Sequence, residues 1–183
     1  MVILIMVTLC GLLLPLSART AEEAAGLGIT NRVQALLDAY AGADDLMDEQ
    51  LLKKRAELES MGAAAVPALC AILKKENDPI YQARIIEVFS HTDGDGNESL
   101  NAVREFLKTH RDGKYAPAHQ AALEYLGAKG GEEDASILRE YLSIDDLVTK
   151  TTAWKSKGMI EKRVADRTHA IGATNNVSRD TGK

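Results

Sequence analysis

The stretch AHQAALEYLGAKGGEEDASILREYL, Ala118–Leu142, contains two short amphipathic segments separated by a glycine-rich turn. In each segment the apolar residues recur at helical spacing, Ala118, Ala122, Tyr125 and Leu126 in the first and Ile137, Leu138, Tyr141 and Leu142 in the second. Such spacing places them on one face of a helix. Gly127, Gly130 and Gly131 favour a break between the two helices. The stretch therefore predicts an antiparallel pair of helices.

Related segments recur upstream at a nearly constant distance. AVPALCAIL ends at Leu73, ESLNAVREFL at Leu107 and EDASILREYL at Leu142, which gives spacings of 34 and 35 residues. The helices IIEVFS and ALEYLG align less tightly, because the loop before the second is longer. An array of helix pairs with a period near 35 residues is typical of an α-solenoid.

Helical spacing extends over most of the chain, and almost nothing in it is typical of a strand. Asn31 and Gly42 are expected to bound the first helix, while Pro67, Pro79 and Pro117 stand in first turns, where a missing N–H costs little. The predicted buried face of the helix after Asp78 consists of Ile80, Ala83, Ile86 and Phe89, widened by Ile85 and Val88. The predicted fold is all-α, a right-handed superhelix of about four helix pairs.

Residues 50–145 resemble the HEAT-repeat family, in particular its short bacterial HEAT-like members, with Ala118–Leu142 the closest part. This resemblance implies an α-solenoid of antiparallel helix pairs and does not specify an activity. The Arg common near the start of the second helix in this family is replaced here by Gln82 and His119. Relatives of this type include bilin lyases, but an exported chain with Cys70 as its one remaining cysteine gives that activity little support.

The first residues predict an exported protein. Val2 to Leu16 is almost entirely apolar, and Ser17 and Ala18 follow it, as in a secretory signal peptide over residues 1–20. No Lys or Arg precedes the apolar run, so an uncleaved N-terminal membrane anchor is the alternative, although the run is shorter than the roughly 20 residues of a spanning helix. The expected location is periplasmic or secreted, with membrane contact only through this segment if it is uncleaved.

The charge of the chain is unevenly distributed. Residues 1–149 carry 14 Lys and Arg against 24 Asp and Glu, whereas residues 150–183 carry 8 against 3. An acidic body argues against nucleic acid as a partner, because phosphate binding needs a basic face on the folded part. We expect a helical repeat domain over residues 27–160 and a basic, flexible tail over 161–183. The basic end is a solvated tail on this reading; contact with anionic lipid or with the acidic body is the alternative.

The stretch HTDGDGNESL, from His91 to Leu100, begins like an EF-hand calcium loop. Counting from Asp93, however, the sixth position is Glu98 instead of Gly, and the twelfth is Arg104 instead of a bidentate Glu. We interpret the stretch as a turn in which Asp95 or Asn97 caps the next helix and Glu98 lies in its first turn. No metal site is predicted there.

The remaining candidate groups indicate neither catalysis nor a cofactor. Cys70 is expected to be a buried small hydrophobe. None of His91, His110, His119 and His169 is spaced as a metal-binding pair, and the acidic pair in SIDDL is expected to cap a helix. No nucleophile, phosphate-binding or dinucleotide motif occurs in the sequence. The chain is therefore predicted not to be an enzyme.

The predicted function is an exported scaffold that mediates protein–protein interaction, since extended concave surfaces of solenoids bind other proteins. Tyr81, Gln82, Tyr115 and His119 lie near the starts of the second helices, and we expect them to form the contact patch. Packing of Tyr81 and Tyr115 into a neighbouring repeat is the alternative. The partner is another protein of unknown identity, or a second copy if the protein is a self-associating component of the cell envelope.

Overall fold

The computed structural model describes residues 26–41, 49–92 and 97–180, and within them the side chains of all but Leu51 and residues 170–180. These residues form eight α-helices and no strand. The helices are α1 (26–41), α2 (Glu49–Ser60), α3 (Val66–Leu73), α4 (Pro79–Thr92), α5 (Asn97–Thr109), α6 (Ala116–Lys129), α7 (Ala135–Tyr141) and α8 (Leu147–Asp180). Short 3-10 helices cover Gly62–Ala65, Gly113–Tyr115 and Glu132–Asp134. The predicted all-α class is therefore confirmed.

Alternate helices contact each other and form two layers. One layer contains α2, α4, α6 and α8, each in contact with the next, and the other contains α3, α5 and α7. Helices that are adjacent in sequence join the layers, α3 with α4, α5 with α6 and α7 with α8. A single apolar core lies between the layers, and its fully buried members include Leu69, Phe89, Val103, Leu123 and Leu138.

Several predicted helix boundaries are present. The Asp78 carboxylate accepts hydrogen bonds from the backbone N–H groups of Ile80 and Tyr81, at 2.8 and 3.0 Å, and Pro79 is the first residue of α4. The Asp146 carboxylate likewise accepts from the Thr149 N–H at 2.7 Å, so SIDDL caps α8 as predicted. Gly62, which follows α2, has a φ of +55°, a left-handed conformation that favours glycine.

Two expectations were wrong, one about the start of α1 and one about the buried face of α4. Helix α1 already includes residue 26, five residues before Asn31, and the partly buried Ile29 packs against the core. Ile80 is 56% exposed instead of buried. It lies on the same side of α4 as Arg84 and His91, whereas the buried side is formed by Gln82, Ile85, Ile86 and Phe89. Because the polar Gln82 stands near the start of the buried side, the apolar pattern did not distinguish that side from the one that carries Ile80.

Helix α8 extends past residue 160, the expected end of the helical domain. Helix α8 continues to Asp180, although a flexible tail was expected from residue 161. Its packed part extends past that position, since Ile160 is buried and Val164 lies against the core. Arg163 donates hydrogen bonds to the carbonyl oxygens of Gly127, Ala128 and Gly130 at 2.6 to 2.9 Å, which fixes α8 to the end of α6.

Three expectations concern residues outside the described ranges. These are the signal peptide or anchor over residues 1–20, Gly42 as the end of the first helix, and the turn at residues 93–96. The described part of that last region agrees with the helix expected after it, because α5 begins at Asn97 and carries Glu98 in its first turn.

Candidate interaction surface

Gln82 and His119, two of the four residues predicted to contact a partner, are buried. The Gln82 Nε2 donates a hydrogen bond to the Glu76 carbonyl at 2.8 Å, and the His119 Nε2 bonds the His110 carbonyl. Both acceptors lie in the loop that precedes the helix of the donor. The two residues are 37 positions apart, the spacing of the second helices. They therefore have the same role in successive helix pairs, which is to hold the loop against its own second helix.

Tyr115 is also buried, in an aromatic cluster between α5, α6 and α7. Its ring lies edge-on to Phe106 and His110, with centroids 6.4 and 4.7 Å apart, and the Tyr141 ring stands edge-on to His119 at 5.1 Å. Burial in this cluster lowers the pKa of His119, because the charged imidazolium is poorly solvated there. Burial also raises the pKa of Tyr141 to about 12.

Tyr81 alone among the four keeps part of its side chain exposed. Its hydroxyl donates to the Asp38 carboxylate and accepts from the Gln34 Nε2 at 2.9 Å, so it connects α4 to α1. Burial and the Asp38 carboxylate raise the pKa of Tyr81. The structure thus brings none of Gln82, Tyr115 and His119 to the surface, and the four residues do not form one exposed patch.

A polar network that the sequence analysis missed joins α1, α2 and α4. The Glu87 carboxylate accepts hydrogen bonds from Arg55 at 2.8 Å, Arg84 at 3.0 Å and the Tyr40 hydroxyl at 2.9 Å. Burial alone would raise the pKa of Glu87, but these bonds and the two cations lower it overall. The i, i+3 spacing of Arg84 and Glu87 was the available signal, and it gave no indication of Arg55 or Tyr40.

A second ion pair joins α5 to the turn before α7. The Arg104 guanidinium donates to both oxygens of Asp134, at 2.6 and 2.8 Å, and Asp134 is only 1% exposed. Its Oδ2 also accepts the backbone N–H of Gly131 at 2.9 Å. This carboxylate is therefore fully used in holding the turn, and the arrangement is structural.

A groove of about 440 Å³ opens between α3 and α5. Cys70, Phe106 and His110 are among the residues that line it. Cys70 was expected to be buried, but it is only partly so, with one side against the core and the other facing the groove. The groove is mostly apolar in lining, because α3 and α5 present small and aromatic side chains to each other there.

The outward side of α8 carries an unusual set of exposed side chains. We call the residues Leu147, Val148, Trp154 and Met159 the α8 face. Leu147 is 74% exposed and Trp154 is 71% exposed, and they are seven residues apart, so both project from the same side of the helix. Val148 and Met159 are exposed at its edge. Clustered exposure of this kind is typical of interaction sites, whereas single exposed apolar residues are not informative.

The opposite side of α8 is packed with smaller residues. Thr149, Ala153, Ser156 and Ile160 are buried, and they follow the same spacing as the outward side with an offset of two residues. Because two residues correspond to about 200° of helix rotation, the two sides face in opposite directions. Leu147 and Trp154 thus point away from the core, whereas the side that points into it combines the polar Thr149 and Ser156 with the apolar Ala153 and Ile160.

Lysines surround the α8 face. Lys155 and Lys162 are exposed on the outward side and Lys150 is half-buried at its border. None of the three forms an ion pair with a carboxylate of residues 26–41, 49–92 or 97–169. Lys157 differs, because it is paired with Glu161 on the same helix. The α8 face is therefore an apolar strip with uncompensated positive charge beside it.

A metal site and a membrane-spanning helix are two other features that the described residues could contain. No group of three or more His, Cys, Asp or Glu side chains is arranged there to hold a metal ion. No single described helix is long and apolar enough to cross a membrane. The segments Leu52–Ser60 and Gly62–Leu73, which meet at an angle of 98°, have sufficient length and apolar composition only when they are taken together.

Comparison with known proteins identifies no relative. The chain matches no protein-family model, no curated protein and no solved structure. The function is therefore argued from the geometry alone.

Proposed function

We propose that this protein is a non-catalytic helical scaffold of the HEAT-like α-solenoid type that binds another protein through the α8 face. The observation that carries the proposal is the exposure of large apolar side chains on α8: Leu147 is 74% exposed and Trp154 is 71% exposed, on the side of the helix that faces away from the core. Removing large apolar side chains from water is the main favourable term in most protein association. A partner that covers these residues would gain from their burial.

The arrangement of the helices supports the solenoid part of the proposal. Helices α2, α4, α6 and α8 follow one another in one layer and α3, α5 and α7 in the other, as expected for stacked helix pairs. The end of such a stack normally has a polar outer face, because no further repeat covers it. Among the described helices, α8 contacts α6 within its layer and has an apolar outer face, as an internal helix of a stack has, so this face is suited to packing against a further helix.

Export to the periplasm or the exterior remains part of the proposal, and it rests on the apolar run from Val2 to Leu16. Interaction with nucleic acid is not proposed. Residues 1–149 carry 14 Lys and Arg against 24 Asp and Glu, so an excess of positive charge is confined to residues 150–183, whereas phosphate binding depends on a basic face of the folded body.

The proposal is tested by comparing Trp154→Ala with Leu27→Ala. Leu27 is 64% exposed on α1 and is a large apolar residue far from α8 in sequence, so it is a matched control. Tagged chains of each type are exposed to an extract of the source organism, and retained proteins are quantified by mass spectrometry. We expect Trp154→Ala to lose a protein that both the wild type and Leu27→Ala retain. Equal retention by all three chains would contradict the proposal.

Self-association is the second candidate, and the uncompensated Lys155 and Lys162 favour it because the rest of the chain is acidic. If the basic end binds the acidic body of another copy, the molecular mass in solution should fall to that of the monomer above about 0.5 M salt, where the Debye length is a few ångströms. Sedimentation at low and high salt measures this directly. A monomer at both salt concentrations would exclude this candidate.

A further inference from the structure

From the α8 face we infer that the partner contributes an acidic amphipathic helix, which lies along α8 in the position that a next helix of the layer would take. This inference rests on the proposed function and specifies the chemistry of the partner. Three observations carry it: the position of α8 in its layer, the small residue Gly158 in the middle of the outward side, and the unpaired lysines around it.

The position of α8 favours a helix as the occupant. Helix α6 contacts α4 on one side and α8 on the other, so an internal helix of this layer has a helical neighbour on both sides. Helix α8 packs on α6 with the side that carries Ala153, Ser156 and Ile160. Its outward side points in the opposite direction, where the layer would continue. A helix placed there would repeat contacts that the layer already uses.

Gly158 gives this outward side a shape that suits a second helix. Gly158 is exposed and a Cβ there would meet nothing within 4 Å, so the backbone of α8 is open to a neighbour between Trp154 and Lys162; we call this position, which lacks a side chain, the notch. The contact between α6 and α8 is built on a comparable notch, because Gly127 admits Ser156. Small residues let helix backbones approach closely when ridges of one helix enter grooves of another. A lipid surface has no ridge that such a notch would accommodate.

The charge around the notch specifies the partner further. Lys155 and Lys162 lie beside it, and with Lys150 they have no carboxylate partner among the described residues up to position 169. The exposed Glu161 on this side is already paired with Lys157, so a second copy of α8 placed parallel to the first would bring Lys155 and Lys162 toward the same lysines, which is unfavourable. A helix with Glu or Asp at its borders would pair with them while its apolar side covers Trp154. The charges therefore favour an acidic partner over a symmetric α8 pair.

The test uses the fluorescence of Trp154, which reports on this site because Trp154 is the only tryptophan in the chain. Two synthetic helical peptides without Trp or Tyr share one Leu and Ala face and differ only in carrying Glu or Lys along its borders. Each is titrated into the full chain at low and high salt while tryptophan emission is recorded. We expect saturable blue-shifted emission with the Glu peptide, weakened by salt, and no shift with the Lys peptide.

Two variants make the result specific. The double variant Lys155→Glu with Lys162→Glu should bind the Glu peptide about tenfold more weakly than the wild type does, and it should bind the Lys peptide instead. Gly158→Leu should fill the notch and, through steric exclusion, weaken the binding of the Glu peptide by about tenfold. Circular dichroism of each variant confirms that the fold is retained, since all three positions are exposed.

Several outcomes would overturn the inference. Equal binding of both peptides, or of neither, would show that charge does not select the occupant. A blue shift with vesicles of anionic lipid in place of the Glu peptide would assign the α8 face to a membrane. An emission that is already blue-shifted in the free chain would show that another segment of the chain covers Trp154. If neither peptide binds but Trp154→Ala still loses its protein from the extract, this inference fails and the proposed function stands.

Discussion

Gly127 of α6 and Ser156 of α8 approach so closely that a Cβ added to Gly127 would lie 2.7 Å from the Ser156 Oγ and 2.9 Å from its Cα. The second of these is a backbone atom, so a different rotamer of Ser156 cannot relieve the clash. Gly127 was expected near the end of a helix, and it is buried in the last turn of α6. Its role is to let α8 approach α6.

We therefore expect Gly127→Ala to destabilise the protein by about 1–3 kcal/mol, the usual effect of overpacking. Gly158→Ala is the matched control, because it is also a Gly to Ala change inside a helix but has open space around its Cβ. That control should stabilise the protein by up to about 1 kcal/mol through helix propensity. Urea denaturation of both variants measures the difference, and equal effects would contradict the assigned role of Gly127.

The buried carboxylate of Asp134 should contribute far more to the free energy of unfolding than that of its exposed neighbour Glu133, although both accept hydrogen bonds from the Arg104 guanidinium. Asp134→Ala leaves a half-buried cation without its bidentate partner and should cost about 3 kcal/mol. Glu133→Ala removes a carboxylate that is 69% exposed and should cost less than about 0.5 kcal/mol. Similar losses of unfolding free energy in the two variants would show that burial does not determine the strength of these pairs.

His119 should make the protein less stable in mild acid. Its folded-state pKa is lowered by burial, so between that value and the ordinary pKa of 6.5 the unfolded chain binds more protons than the folded one. Stability is then fully present above pH 6.5 and decreases as the pH falls below it, by at most about 1.4 kcal/mol per pH unit. Urea midpoints at pH 7.5 and 5.5 measure the decrease.

The variant His119→Gln isolates this effect, because it copies the residue found at the equivalent position 82 and keeps a side-chain N–H for the His110 carbonyl. It should lose less stability between pH 7.5 and 5.5 than the wild type does. His169→Gln is the matched control, since it makes the same substitution at an exposed residue of α8 outside the aromatic cluster. A steeper dependence in His119→Gln would show that the sign is wrong.

Trp154→Ala should leave the fold intact. Its side chain is largely in solvent, and surface substitutions of this kind change stability by about 0.5 kcal/mol or less. Thermal unfolding followed by circular dichroism measures this. A loss of several kcal/mol would mean that Trp154 packs against the body, and any loss of partner binding in this variant would then need another explanation.

The sequence predicted the helices well because the first and second helices of each pair carry strong apolar periodicity, as in Leu100, Val103, Phe106 and Leu107. Asp78 and Asp146 were recognisable as caps because an acidic side chain stood beside the first helical residues. These signals are local. They depend on the helix itself and not on what it packs against.

The candidate surface was not predictable in the same way. On α8 the periodicity of Leu147 and Trp154 is as helical as that of the buried side, and nothing local shows which side faces α6. That choice depends on the close approach of Gly127 and Ser156, which are 29 residues apart in the chain. For Gln82 and His119 the error was the reverse, because polar side chains were assigned to the surface although each one bonds a backbone carbonyl of a nearby loop inside the fold.

Gln82 and His119 show how successive helix pairs tolerate loops of different length. The acceptor lies six residues before Gln82 and nine residues before His119, yet each loop is tied to its own second helix. Each pair is thus a module that closes its own loop, and in the second pair the Tyr141 hydroxyl of α7 also donates to the His110 carbonyl, at 3.3 Å. Such modules can be duplicated, deleted or exchanged within a chain, and an array built from them can change length during evolution without a redesign of its interior.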